Sequence, residues 1–166
     1  MVVYGLDRLS KIAVLDTLVP DETVPLLGPV VQLRLVENPG AAFSIGGGQT
    51  WIFAIIAVAV AVFIVLFARR IRSVWWALLF GMLLGGTLGN LTDRLTRPPG
   101  FGVGHVVDFI TIIWFPAIFN VADIAIVASM GMFILLTLRG VRLDGLKARS
   151  KAASVAADES ASTPGE

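Results

Sequence analysis

Two groups of polar residues interrupt the apolar stretches of this 166-residue chain: Asn90-Leu91-Thr92-Asp93-Arg94 and Asn120-Val121-Ala122-Asp123, with Asp108 between them. Ionisable groups in membrane segments are costly and tend to be kept for function, so carboxylates and carboxamides at a bilayer rim point to aqueous chemistry at a membrane surface. Asn90 and Arg94 are four residues apart and share one helix face, and Asn120 and Asp123, three apart, share another. A turn through Trp114-Phe115-Pro116 would fold Asp108 back over Asp123. Two carboxylates in one site do not both ionise cheaply, so one keeps its proton while the other stays anionic. The anion can take a proton from a water held between them, and the acid can hydrogen-bond a scissile carbonyl. This chemistry calls for no metal, cofactor or covalent nucleophile. Asn90, Asn120 and Arg94 suit the binding of a substrate backbone or an anionic lipid headgroup.

The elements that hold these residues are membrane helices. Hydrophobic residues make up 56% of the chain and charged ones 15%, with mean hydropathy +0.84. That is the composition of an integral membrane protein with about four spans at roughly 20 residues each. Zero cysteines exclude disulfide and thiolate chemistry, and the single histidine, His105, argues against a His-rich zinc site. Uncharged residues 51–68 end at Arg69-Arg70-Ile71-Arg72, which places that end in the cytoplasm. Residues 74–91 return outward, with Trp75 and Trp76 at the inner interface. Residues 117–138 run back in, ahead of Arg139, Arg142, Lys147, Arg149 and Lys151, so that eight of the thirteen basic residues lie inside. A helix starting at Ala117 would put Asp123 about 9 Å below its outer end.

Residues 1–19 carry Asp7, Arg8, Lys11 and Asp16, yet parity with the other spans makes them a first crossing, with the N-terminus inside. They lack a cleavable leader's uninterrupted apolar region, so removal is not expected. Val31-Gln32-Leu33-Arg34-Leu35 alternates as a half-buried strand does, Glu37-Asn38-Pro39-Gly40 reads as a turn, and Gly46-Gly47-Gly48 as a flexible approach to the membrane. The fold expected is an all-α integral membrane protein: four transmembrane helices with a small outer β region at about 28–48. An outer segment occupies 92–116, and a disordered cytoplasmic tail, 147–166, follows a membrane domain at 1–146.

Four motifs in this order resemble the lipoprotein signal peptidases (signal peptidase II), bacterial membrane-embedded aspartic peptidases. They are Asn38-Pro39-Gly40-Ala41-Ala42-Phe43-Ser44, Gly85-Gly86-Thr87-Leu88-Gly89-Asn90-Leu91-Thr92-Asp93-Arg94, Val106-Val107-Asp108-Phe109 and Phe119-Asn120-Val121-Ala122-Asp123. The resemblance runs from about Asp7 to Leu138 and includes a looser match at Asp7 and Lys11. It implies that Asp108 and Asp123 are the catalytic dyad, that Asn38, Asn90, Arg94 and Asn120 line the site, and that Gly40 and Asp93 support it. It also implies the substrate, a prolipoprotein cut on the amino side of a diacylglyceryl-modified cysteine, and an extracytoplasmic β-cradle. The implied setting is the bacterial cytoplasmic (inner) membrane, with both termini cytoplasmic. No cofactor and no nucleic-acid partner is expected, and the chain is expected to act as a monomer. Two features depart from the family's usual pattern: only six residues precede Asp7, which implies a short or truncated first helix, and Ile124 follows Asp123.

Other readings compete at single residues. Asp123 could be a proton-relay carboxylate in a small transporter, although transporters usually place such groups near the midplane, often with a sequence repeat, and none is visible. It could also be a structural acid paired with Arg94, or the chain a non-enzymatic scaffold. A Ser44, His105, Asp108 triad lacks any supporting spacing, and His105 reads better as a solvated loop residue. Asn38 could serve only as a turn former. Asp93 is expected to bond the helix end or Arg94, and Asp7 and Lys11 to form a structural pair or to meet lipid headgroups. The glycines at 81, 85 and 86 would let helices approach closely.

Overall fold

In the computed structural model, residues 1–40 and 49–143 are described. Gly46 to Gly48, Ser44 and the tail at 147–166 lie outside them. The described residues form four helices, α1 (Val2–Thr17), α2 (Thr50–Phe67), α3 (Val74–Thr96) and α4 (Val121–Leu138), and four strands. The strands are β1 (Thr23–Leu27), β2 (Val31–Asn38), β3 (Val106–Ile112) and β4 (Phe115–Phe119). They form one antiparallel sheet in the order β1-β2-β3-β4.

Three helices, containing α2, α3 and α4, are long and apolar enough to cross a bilayer. Ile55, Phe63 and Leu66 of α2 and Val127 and Ile134 of α4 are exposed, as expected where the solvent is hydrocarbon. At one end of the bundle Trp76, Leu79 and Leu136 pack together. The Trp76 indole N–H donates to the Val141 carbonyl at 3.0 Å, and the amides of Arg72 and Ser73 donate to Leu143. The basic stretches after α2 and after α4 are thereby gathered at the same end. Of the two interfacial tryptophans expected there, Trp75 is exposed and Trp76 is buried.

α1 differs from the expected crossing at 1–19. It has 16 residues, about 24 Å at 1.5 Å per residue, short of a hydrocarbon core of about 30 Å. Its Val3 lies against Gly85, midway along α3, and Asp7 lies against Gly89. α1 therefore runs parallel to α3 along the half that carries Asn90 and Arg94. The glycines permit this: a Cβ added at Gly85 would lie 2.8 Å from the Val3 Cβ, and one at Gly86 would lie 2.5 Å from the Ala122 carbonyl. Close approach at Gly85 and Gly86 matches expectation, but Gly81 has open space around it.

The sheet is larger than the outer β region expected at 28–48. Residues 106–119, expected as an apolar outer segment and the start of the last helix, form the hairpin of β3 and β4. Aromatic and β-branched side chains from Phe109 to Phe115 favour extended backbone. Pro116, which has no N–H to give, is tolerated because β4 is an edge strand. The last helix accordingly starts at Val121 and not at Ala117, so Asp123 sits in its first turn and not about 9 Å below its end. Val107 and Phe109 of β3 pack with Leu35 of β2 and Val14 of α1, which ties the sheet to the end of the bundle opposite the basic stretches.

Candidate active site

Asn120 starts α4 and organises the site. Its side-chain oxygen accepts from the Asp123 N–H at 3.0 Å, and its own N–H donates to Asp123 Oδ2 at 3.1 Å. This reciprocal capping box satisfies donors that a helix end leaves free. It also fixes the Asp123 carboxylate at the mouth of the helix, where the aligned peptide dipoles favour negative charge. The Asn120 Nδ2 reaches the other way, to Asp108 Oδ1 at 2.6 Å. One fully buried residue thus holds both acids.

Each acid has a second amide donor. Asn38, at the end of β2, donates through Nδ2 to Asp108 Oδ2 at 2.8 Å. Its Oδ1 accepts from the Gly40 N–H at 2.9 Å, so Asn38 closes a turn while its Nδ2 faces Asp108. Asn90 donates through Nδ2 to Asp123 Oδ1 at 2.8 Å. Burial and the neighbouring Asp123 charge push the Asp108 carboxyl up to about 7, against the opposing pull of its Asn38 and Asn120 donors. Asp108 thus titrates near neutrality.

Arg94 donates to the Gly40 carbonyl at 2.7 Å, and its guanidinium lies 5.2 Å from the centre of the Phe53 ring. Among the described residues its buried Nη1 has no hydrogen-bond partner. Such a group costs stability unless something binds it. Asn38, Gly40, Asn90, Arg94, Asp108 and Asp123 all line one cavity of about 670 Å³. The rest of its wall is largely apolar, from Phe115, Ile118 and Phe119 to Ile124 and Val127. Polar groups converging at one part of an apolar cleft is the usual form of a binding site.

Of the two roles expected for Asp93, it bonds Arg97 at the helix end and not Arg94; it is fully buried and also bonds Arg8, Lys11 and the Val107 N–H. Asp7 and Lys11 form a structural pair and do not meet headgroups, since both are fully buried and lie 2.9 Å apart as an ion pair. The alternative pairing of Asp123 with Arg94 does not form: Asp123 accepts from Asn90 and from the Asn120 backbone. His105 is partly exposed, 4.0 Å from Glu37, in keeping with a loop role. Phe53, on another helix with no local signal, is not legible in the sequence as a site residue, and the Asn-x-x-Asp spacing at 120–123 carries a capping box as well as a shared face.

The family model of signal peptidase (SPase) II matches residues 1–139. The chain belongs to the signal peptidase II family. It is 57% identical over 164 residues to the lipoprotein signal peptidase of Leifsonia xyli subsp. xyli, covering 96% of this chain and 76% of that one. It is 48% identical to the lipoprotein signal peptidase of Rhodococcus jostii, covering 88% and 73%, and 43% identical to that of Mycobacterium avium, covering 90% and 82%. A bacterial membrane enzyme solved by the in meso method at 2.3 Å resolution shares the fold, with TM-score 0.75, 24% identity and 90% of each chain covered. A second, solved at 1.9 Å, gives TM-score 0.72 at 25% identity, covering 82% of this chain and 88% of that one. Membership in a peptidase family sets aside the transporter and scaffold readings.

Proposed function

We propose that Asp108 and Asp123 are the catalytic dyad of this signal peptidase II, an aspartic peptidase that cleaves signal peptides from lipid-modified prolipoproteins. The observation that carries the assignment is the Asn120 bridge: one buried residue bonds both carboxylates where they line an otherwise largely apolar cavity. Asp123, held at the first turn of α4, is the anionic base. Asp108, with its proton retained to near neutrality, is the acid. A water between them gives a proton to Asp123 as its oxygen attacks the scissile carbonyl carbon, and Asp108 donates to the carbonyl oxygen. Collapse of the tetrahedral intermediate breaks the C–N bond; the proton on Asp123 passes to the departing amine, and Asp108 takes back its proton from the oxygen as the carbonyl re-forms. Arg94, in the cavity wall with no partner for its Nη1 among the described residues, binds a substrate carbonyl or an anionic headgroup. Asn38 and Asn90 hold the two acids, and Gly40 and Asp93 support the framework.

The bond cut lies on the amino side of a diacylglyceryl-modified cysteine, and the apolar wall at Phe119, Ile124 and Val127 suits a substrate anchored in the outer leaflet. The peptidase unit spans residues 1–146 and acts as a monomer in the bacterial cytoplasmic membrane. α1 is a membrane-embedded helix that starts level with the midpoint of α3 and runs outward alongside its outer half, and the end of α4 faces the cytoplasm. The clustering of Arg69, Arg70, Arg139 and Arg142 at the end of the bundle away from the dyad supports this orientation. The substrate reading is tested by offering the purified enzyme one prolipoprotein with and without its diacylglyceryl group. Signal-peptide release from the lipidated form alone is expected, and equal release from both would overturn it.

A further inference from the structure

We infer that Lys11 is a positioning residue for the dyad, acting through the Asn90 carboxamide; the inference rests on the dyad assignment above. Lys11 is fully buried. Its ammonium lies 2.9 Å from Asp7 Oδ2, 2.7 Å from Asp93 Oδ2 and 2.9 Å from Asn90 Oδ1. The ammonium is ion-paired with two carboxylates and donates a hydrogen bond to the amide that faces the site. The cluster is anchored on every side: Asp7 Oδ1 accepts from the Ala122 N–H at 3.0 Å, beside Asp123, and Asp93 is also held by Arg8 and Arg97.

An ion cluster that merely joined α1 to α3 would have no need of Asn90. Rotating an asparagine amide by half a turn exchanges its donor and acceptor ends. Here Oδ1 faces the Lys11 ammonium and also accepts from Asn120 Nδ2 at 3.1 Å, while Nδ2 faces Asp123. The rotated amide would set its NH₂ against the ammonium and its oxygen against the Asp123 carboxylate, two repulsive contacts. Lys11 therefore fixes which end of Asn90 meets the proposed base. It also stiffens the Asn90–Asn120 contact that leads to Asp108.

The test is a coupling measurement in detergent with a diacylated prolipoprotein. Lys11→Met alone would leave buried carboxylates short of a partner, so the charge-neutral pair Asp7→Asn/Lys11→Met is used, with its unfolding temperature checked. The pair is expected to lower kcat by about 10- to 100-fold, the usual effect of losing an outer hydrogen-bond partner, with KM within about twofold. In an Asn90→Ala background the same pair is expected to lower kcat by less than about threefold, because residues acting in one network are non-additive. An equal loss in both backgrounds would overturn the inference. So would a rise in KM at constant kcat, no loss at all, or a pair that no longer folds, which would make Lys11 part of the framework. Asp123→Asn, run alongside, separates this failure from failure of the dyad assignment, since only the latter leaves that variant active.

Discussion

At the scale of single residues, Asp108 and Asp123 have different environments although they share a bridging amide. Asp123 sits where a helix end meets two N–H donors, whereas Asp108 lies on a buried strand and holds its proton up to about pH 7. If Asp108 is the acid, kcat/KM falls on the alkaline side with a midpoint near 7, measured as a value of the coupled pair. Stability follows the same titration. The native state keeps a proton that the unfolded chain releases near 3.8, so the contribution of Asp108 is full below about pH 4 and lost as pH rises to about 7. Asp108→Asn should therefore flatten the fall in unfolding temperature across that window; an unchanged slope would show that Asp108 is not the group responsible. Asn120 and Asp123 were readable as a pair because they share one helix turn. The Asn38 bond to Asp108 spans 70 residues between two strands, and no local pattern encodes it.

At the scale of elements, three helices were legible because each is a long apolar run bounded by charge or glycine. The hairpin of β3 and β4 was not, since residues 106–116 read as an apolar outer segment and 117–119 as the start of a helix, and only pairing with β2 decides their shape. α1 hides its role for a related reason: its charges look unsuited to a membrane until Asp93, 82 residues beyond Lys11, supplies a partner. The α3 glycines show how closely these elements must meet. Gly86→Ala would place a methyl 2.5 Å from the Ala122 carbonyl and 2.9 Å from Ile126 Cγ1. A loss of about 1–3 kcal/mol is expected from such overpacking, with cleavage reduced because Ala122 adjoins Asp123. Gly81→Ala, with open space around it, should leave both within about 1 kcal/mol of their starting values. Similar unfolding temperatures for the two variants would show that α3 and α4 are not held at contact distance.

At the scale of the whole molecule, the basic connections lie at one end of the bundle and the acids at the other, which makes orientation testable by labelling. The chain has no cysteine, so a single introduced one reports alone. Phe101→Cys, at a highly exposed position of the turn before β3, should react with a membrane-impermeant thiol reagent in intact cells. Arg139→Cys should react only after permeabilisation, and the reverse pattern would invert the topology. In the proposed dyad, this architecture brings two acids to one water beside an apolar cleft. Its most direct test is the rate of signal-peptide release from a diacylated prolipoprotein by Asp108→Asn and Asp123→Asn, each shown by its unfolding temperature to be folded. Each should lose on the order of 100- to 10,000-fold, the range for removing a general acid or base; cleavage near the wild-type rate by either variant would contradict the dyad.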